Sequence, residues 1–112
     1  MTNKPNILVI CGRNIKRSRT AEYLFKNDNR INIRSAGLSE KSRKKLHQID
    51  LQWADLILVM ENKHKLRIMD TYRDIKIPKI IVLDIDDKYE YLDKELCEIL
   101  TLKINDVINS LF

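Results

Sequence analysis

Cys11 and Arg17 stand six positions apart in the run Cys11-Gly-Arg-Asn-Ile-Lys-Arg-Ser18. A thiol closing an apolar stretch, a short loop and a serine opening a helical pattern together make an anion cradle. Consecutive backbone N–H groups of such a loop point inward, and the helix N-terminus adds partial positive charge. The same field favours the thiolate, which is the nucleophilic form of Cys11. Arg17 supplies a planar fork for two phosphoryl oxygens and stays charged throughout. The chemistry suggested is phosphoryl transfer, which needs positioning and charge stabilisation and little else. A cysteine ending a buried strand is most often only a small hydrophobe, and Cys-x5-Arg arises by chance in an arginine-rich chain. The strand before Cys11, Ser18 directly after Arg17 and the helical pattern beyond them favour the functional reading.

The elements that must position these residues follow from hydrophobic periodicity. Asn6–Cys11, Ala54–Met60 and Pro78–Asp84 are short, Ile/Val-rich runs that predict strands covered on both faces. Ile31–Ser35 alternates and predicts an edge strand. Ser18 to about Asn27 predicts a helix opened by Ser18 and Thr20, with Glu22 close behind. Glu61 to Tyr72 predicts a second helix, and Asp93 to Leu111 a third, with Asp93 at its N-cap and a stripe of Leu96, Leu100, Ile104, Val107, Ile108 and Leu111. Glu40 to His47 predicts a short basic helix. Strand–helix alternation of this kind implies a parallel sheet with helices on both faces. Ligands then bind beyond the carboxyl ends of the strands, just after Cys11, Ser35, Met60 and Leu83.

Composition narrows the partner. The 112 residues (13.3 kDa) suit one domain over 1–112, and 44% hydrophobic with 33% charged residues suits a packed core. No apolar run reaches the roughly 20 residues of a membrane span. The segment beginning at Met1 lacks a signal-peptide cleavage pattern, so a cytoplasmic location is expected. Cys11 and Cys97 are too few for a disulfide framework or a structural zinc site. Residues 1–83 hold 18 Lys/Arg against 8 Asp/Glu, whereas residues 84–98 hold 2 against 7. A basic body points to an anionic ligand, either a phosphate ester or nucleic acid.

The stretch Ile7–Glu22, ILVICGRNIKRSRTAE, resembles the signature of the low-molecular-weight protein tyrosine phosphatase family, an apolar strand followed by C-x-G-N-x-x-R-S and a helix reading roughly P-T-A-E. Cys11, Asn14, Arg17, Ser18, Thr20, Ala21 and Glu22 match. The later pieces RSAGLS, WADLILVME and VLDIDDKYEYLD resemble the family's following segments in order, and the short bacterial branch is most similar. The resemblance implies a phosphotyrosine phosphatase I-like α/β fold: one domain with a four-stranded parallel sheet in the order 2-1-3-4. It implies Cys11 as nucleophile, Arg17 as phosphoryl clamp, and Gly12, Arg13, Asn14, Ile15, Lys16, Arg17 and Ser18 as the phosphate-binding loop. Asn14 and Ser18 would hold the loop and the thiolate, and Ser35 would hydrogen-bond to the loop. The general acid would be one of Asp84, Asp86 and Asp87. Alignment on Asp-Ile and Tyr89 favours Asp87, with Asp84 next. The implied substrate is a phosphotyrosyl protein or small phosphomonoester, with no metal or organic cofactor.

The departures from that pattern bear on substrate. Arg13 replaces a glycine and adds charge at the mouth. Lys16 stands where many members carry a second cysteine, and Arg19 replaces a helix-opening proline. The chain between SAG and WAD is short, which implies a reduced pocket wall. Tyr89 and Tyr91 could stack on an aromatic leaving group, or one could enter the core. His47 and His64 read as exposed residues, Trp53 and Cys97 as core packing, and Lys41, Arg43, Lys44 and Lys45 as a solvated helix face. A non-catalytic module holding phosphate on a protein or RNA is the competing reading. Nucleic-acid binding is less favoured, and arsenate reduction would require additional cysteines.

Overall fold

The structure is a computed structural model that describes residues 4–112; the reading of Met1–Asn3 lies outside the described residues. Four strands form one parallel sheet: β1 (Asn6–Cys11), β2 (Asn32–Gly37), β3 (Leu56–Val59) and β4 (Lys79–Val82), in the order β2-β1-β3-β4. Alternation along β1 explains its place next to the centre. Ile7, Val9 and Cys11 enter one core with Ala21, Phe25, Leu96, Leu100 and Ile104, while Leu8 and Ile10 enter a second core with Leu51 and Ile68. Helices α1 (Arg17–Phe25) and α4 (Lys94–Leu111) therefore cover one face, and α2 (Gln48–Trp53) and α3 (Asn62–Thr71) the other. Asp93 caps α4, accepting from the Leu96 amide at 3.2 Å. No helix among the described residues is long and apolar enough to cross a membrane.

Two sequence expectations for local structure are corrected. Residues 40–47 are not a helix. Gly37 N donates to Lys44 O and Leu46 N to Gly37 O, both at 2.8 Å, so this backbone is bonded to the end of β2. Its cationic run has no apolar stripe to bury against the sheet, and the helix forms later, at Gln48–Trp53, where Asp50 accepts from the His47 amide at 2.8 Å. The first helix begins at Arg17, with Lys16 at its N-cap and no side-chain cap bond. Ser18 lies inside the first turn, where its hydroxyl serves other partners. Cys97 is half-buried on α4 outside both cores; burial, then Asp93 and Glu98, push its thiol up.

Candidate active site

The loop leaving β1 is held from outside by the strap that leaves β2. Leu38 N donates to Cys11 O (3.1 Å) and Gly12 O (3.0 Å), Ser39 N to Gly12 O (2.8 Å), and Arg43 N to Arg13 O (3.0 Å). Arg43 Nε adds a bond to Asn14 O at 3.2 Å. In a trans peptide the C=O and the following N–H point in opposite directions. With the carbonyls of residues 11–14 turned toward the strap, the amides of residues 12–15 turn the other way. Cys11, Gly12, Arg13, Ile15, Lys16 and Arg17 line a cavity of about 580 Å³ together with Ser39 of the strap. The uncapped N-terminus of α1 adds its first-turn amides at the end of the loop.

Close approach of strap and loop explains one glycine. A Cβ on Gly37 would lie 2.7 Å from the Arg13 carbonyl carbon and 2.7 Å from Ser42 Cβ, whereas one on Gly12 would meet nothing within 4 Å. Asn14 takes the left-handed conformation (φ 55) that asparagine tolerates, and this turns the loop inward.

Beneath the cavity the buried polar groups form a directed chain. Asn14 Nδ2 donates to Ser18 Oγ at 2.7 Å, and Ser18 Oγ lies 3.0 Å from Cys11 Sγ. All three residues are buried. An unpaired polar group there would carry the desolvation penalty of a lost hydrogen bond, so the arrangement specifies one loop conformation.

Arg17 is buried at 3% exposure and gripped on one nitrogen. Its Nη1 donates to Glu61 Oε2 at 2.8 Å and to Ile85 O at 2.7 Å. Burial raises the Glu61 pKa, but its ion pair with Arg17 outweighs this and holds the carboxyl below the usual range. His64 sits one turn along α3, its Nδ1 accepting from the Glu61 amide at 3.2 Å. It is buried and lines the cavity, correcting its expected exposure. Burial and the neighbouring Arg17 charge lower its pKa from 6.5 to about 4.

Among the described residues Asp87 is the one acidic residue on the cavity wall, with Oδ1 3.7 Å from Arg17 Nε. Asp84 and Asp86 are exposed and do not line it. Asp84 instead occupies a left-handed bend (φ 56) between Leu83 and Ile85, which bond to Val59 O and Met60 O; that bend presents the Ile85 carbonyl to Arg17. Ser35 does not reach the loop as expected. Its hydroxyl donates to Glu22 Oε1 at 2.6 Å, and Glu22 in turn lies 3.8 Å from Arg43 Nη2. Tyr89 is in the core, and Tyr91 lies under the Arg19 guanidinium at 4.2 Å. Neither lines the cavity, so the stacking role is not supported. Trp53 packs on the second core beneath Arg34. Exposed His47 matches its reading.

Several residues at the site escaped the sequence reading, among them the cavity-lining Ser39, Lys63 and Arg67. Glu61 and His64 follow β3 directly, and position after a strand's carboxyl end was the available signal. Arg43 had none, because its role depends on the strap being non-helical. Among the described residues, no group of three or more His, Cys, Asp or Glu side chains could hold a metal ion.

No family model matches the sequence, and no curated protein matches it. Solved structures do. The low molecular weight protein tyrosine phosphatase SP-PTP of Streptococcus pyogenes aligns with a TM-score of 0.81 at 17% identity, covering 96% of this chain and 93% of that one. The YwlE arginine phosphatase of Geobacillus stearothermophilus aligns at 0.77 and 22%, covering 96% and 92%. The tyrosine phosphatase Wzb of Escherichia coli K30, in complex with phosphate, aligns at 0.72 and 22%, covering 98% and 100%. With its four parallel strands in the order 2-1-3-4, this chain has the fold of the low-molecular-weight protein tyrosine phosphatases.

Proposed function

We propose that the protein is a phosphomonoester hydrolase, acting on phosphotyrosyl protein through a cysteinyl-phosphate intermediate. The observation that carries this reading is the convergence on one cavity of Cys11, the loop that follows it with its carbonyls bonded to the strap, the clamped Arg17 and Asp87. The thiolate of Cys11 attacks phosphorus, so an S–P bond forms as the ester P–O bond breaks. Protonated Asp87 gives its proton to the departing oxygen. Water then attacks the cysteinyl phosphate, Asp87 takes up a proton, and the S–P bond breaks to return the thiolate and release inorganic phosphate. The loop amides and the Nε/Nη2 edge of Arg17 meet the equatorial oxygens in both steps.

The cavity rim supports an aromatic alcohol as leaving group. Ile15, 40% exposed, offers apolar surface at the mouth, while Arg13, Lys63 and Arg67 repel a positively charged guanidinium as the leaving group. Hydrolysis of p-nitrophenyl phosphate in the presence of a chelator, inhibited by vanadate and lost in Cys11→Ser, is the expected result. Full activity in Cys11→Ser overturns the reading. A stoichiometric burst of p-nitrophenol without turnover would favour the phosphate-binding module instead.

A further inference from the structure

We propose that the phosphotyrosine taken by this site stands beside Asp or Glu residues in an acidic stretch of polypeptide. This rests on the phosphatase reading above. Five cationic side chains line the cavity, but their counter-charges are unevenly shared. Lys16 pairs with Glu90 at 3.1 Å, and Arg17 with Glu61 at 2.8 Å. Lys63 comes only within 3.8 Å of the Glu61 oxygen that Arg17 already holds. Arg67 donates to the neutral Leu38 carbonyl at 3.2 Å, and among the described residues Arg13 has no ion pair.

Lys63 and Arg67 are four residues apart on α3, hence on one face. A phosphoryl dianion engages the loop and Arg17, which leaves Arg13, Lys63 and Arg67 for negative charge next to the ester. Each exposed contact is weak, but together they act over a Debye length of roughly 8–10 Å and raise the association rate.

The test compares two phosphotyrosyl peptides that differ only in acidic or neutral flanking residues, with p-nitrophenyl phosphate and a nucleoside 3′,5′-bisphosphate alongside. At low salt the acidic peptide should show about a tenfold higher kcat/KM, an advantage that shrinks as salt is added. The double variant Lys63→Gln/Arg67→Gln should lower the ratio of the two peptides to the part that Arg13 alone supplies. Equal kcat/KM for both peptides, or a higher value for the bisphosphate than for the acidic peptide, overturns the proposal. Absence of turnover with every substrate, p-nitrophenyl phosphate included, overturns the phosphatase reading itself and this proposal with it.

A second inference is carried independently, by hydrogen-bond direction. We infer that Arg43 is a positioning residue for the Cys11 thiolate, acting through Asn14 and Ser18. A guanidinium only donates. Arg43 Nη2 lies 3.0 Å from Asn14 Oδ1, so the Asn14 amide oxygen must face the strap and its NH2 must face Ser18. Ser18 Oγ thus accepts from Asn14, and its own hydrogen is left for Cys11 Sγ at 3.0 Å, where it stabilises negative sulfur. Glu22, held by Ser35, keeps the guanidinium in place at 3.8 Å.

The readout is alkylation of Cys11 by iodoacetamide in a Cys97→Ser background, at pH 6.5 and at pH 10. Arg43→Met should react about tenfold more slowly at pH 6.5 and at the parent rate at pH 10. Arg43→Lys, which keeps a donor, should recover most of the loss. A rate unchanged at both pH values overturns the inference. So does equal slowing at both, which would mark only a collapsed loop.

Discussion

Arg17 and Glu61 meet through a single guanidinium nitrogen: Nη1 lies 2.8 Å from Glu61 Oε2, and the same nitrogen donates to the Ile85 carbonyl at 2.7 Å. Among the described residues no hydrogen bond engages Nε or Nη2 of Arg17. The residue is therefore clamped from behind, and its Nε/Nη2 edge, faced only by the Asp87 carboxylate at 3.7 Å from Nε, keeps the geometry in which arginine binds an oxyanion bidentately.

Removing the clamp should separate affinity from folding. Glu61→Ala leaves the buried guanidinium with the Ile85 carbonyl and the more distant, exposed Asp87 carboxylate, and a loss of about 2 kcal/mol is expected in urea unfolding. The kcat/KM for p-nitrophenyl phosphate should fall by about tenfold or more, because Arg17 can now swing out of register. Glu61→Gln keeps an acceptor for Nη1 and should sit between the two. If Glu61→Ala matches the parent in both measurements, the clamp has no role.

His64 ties stability to pH. Its folded pKa of about 4 lies below the ordinary 6.5. The unfolded chain therefore binds more protons between these values, and stability contributed by neutral His64 is full above pH 6.5 and lost as pH falls toward 4. The depression corresponds to about 3 kcal/mol. Urea midpoints at pH 7 and pH 4.5 should show a larger drop for the parent than for His64→Gln, whose amide can still accept from the Glu61 backbone.

Most of the fold was legible because its signals are local. β1 reads as a strand from one uninterrupted apolar run, and α4 from a cap and a stripe. That Cys11, Arg17 and Asp87 would come together around one cavity was legible from spacing and from the resemblance. What the sequence hid is tertiary. Arg43 looked like one more lysine-rich surface residue until Gly37 and Lys44 fixed the strap. Ser35 was assigned to the loop, but the competing acceptor, Glu22, comes from α1, and no spacing reveals which neighbour a buried hydroxyl will choose. His64 looked exposed because its neighbours Lys63 and Lys65 are charged, yet its position on α3 turns it inward.

Strap packing gives a contrast between two glycines. Gly37→Ala places a methyl group against the Arg13 backbone and Ser42. The strap must then move off the loop, and overpacking of this kind costs about 1–3 kcal/mol. Gly12→Ala meets nothing within 4 Å, so its unfolding midpoint should stay near the parent value. A midpoint for Gly37→Ala equal to that of Gly12→Ala would mean that the close approach is not maintained in solution.

The three neighbouring aspartates can be told apart by kinetics. Only Asp87 lines the cavity, with a carboxylate oxygen 3.7 Å from Arg17 Nε. Asp87→Asn removes the proposed proton donor and should lower kcat for phenyl phosphate by about 10²–10⁴, the span expected for loss of general acid–base catalysis. The effect should be smaller for substrates with more acidic leaving groups, which need less protonation. Asp84→Asn keeps a side chain that tolerates φ 56 and should change kcat little, whereas Asp84→Val strains that bend and should act through stability. Asp86→Asn should match the parent. If Asp84→Asn shows the large kcat loss and Asp87→Asn does not, the acid is misassigned and the bend before Ile85 must move toward the cavity during turnover.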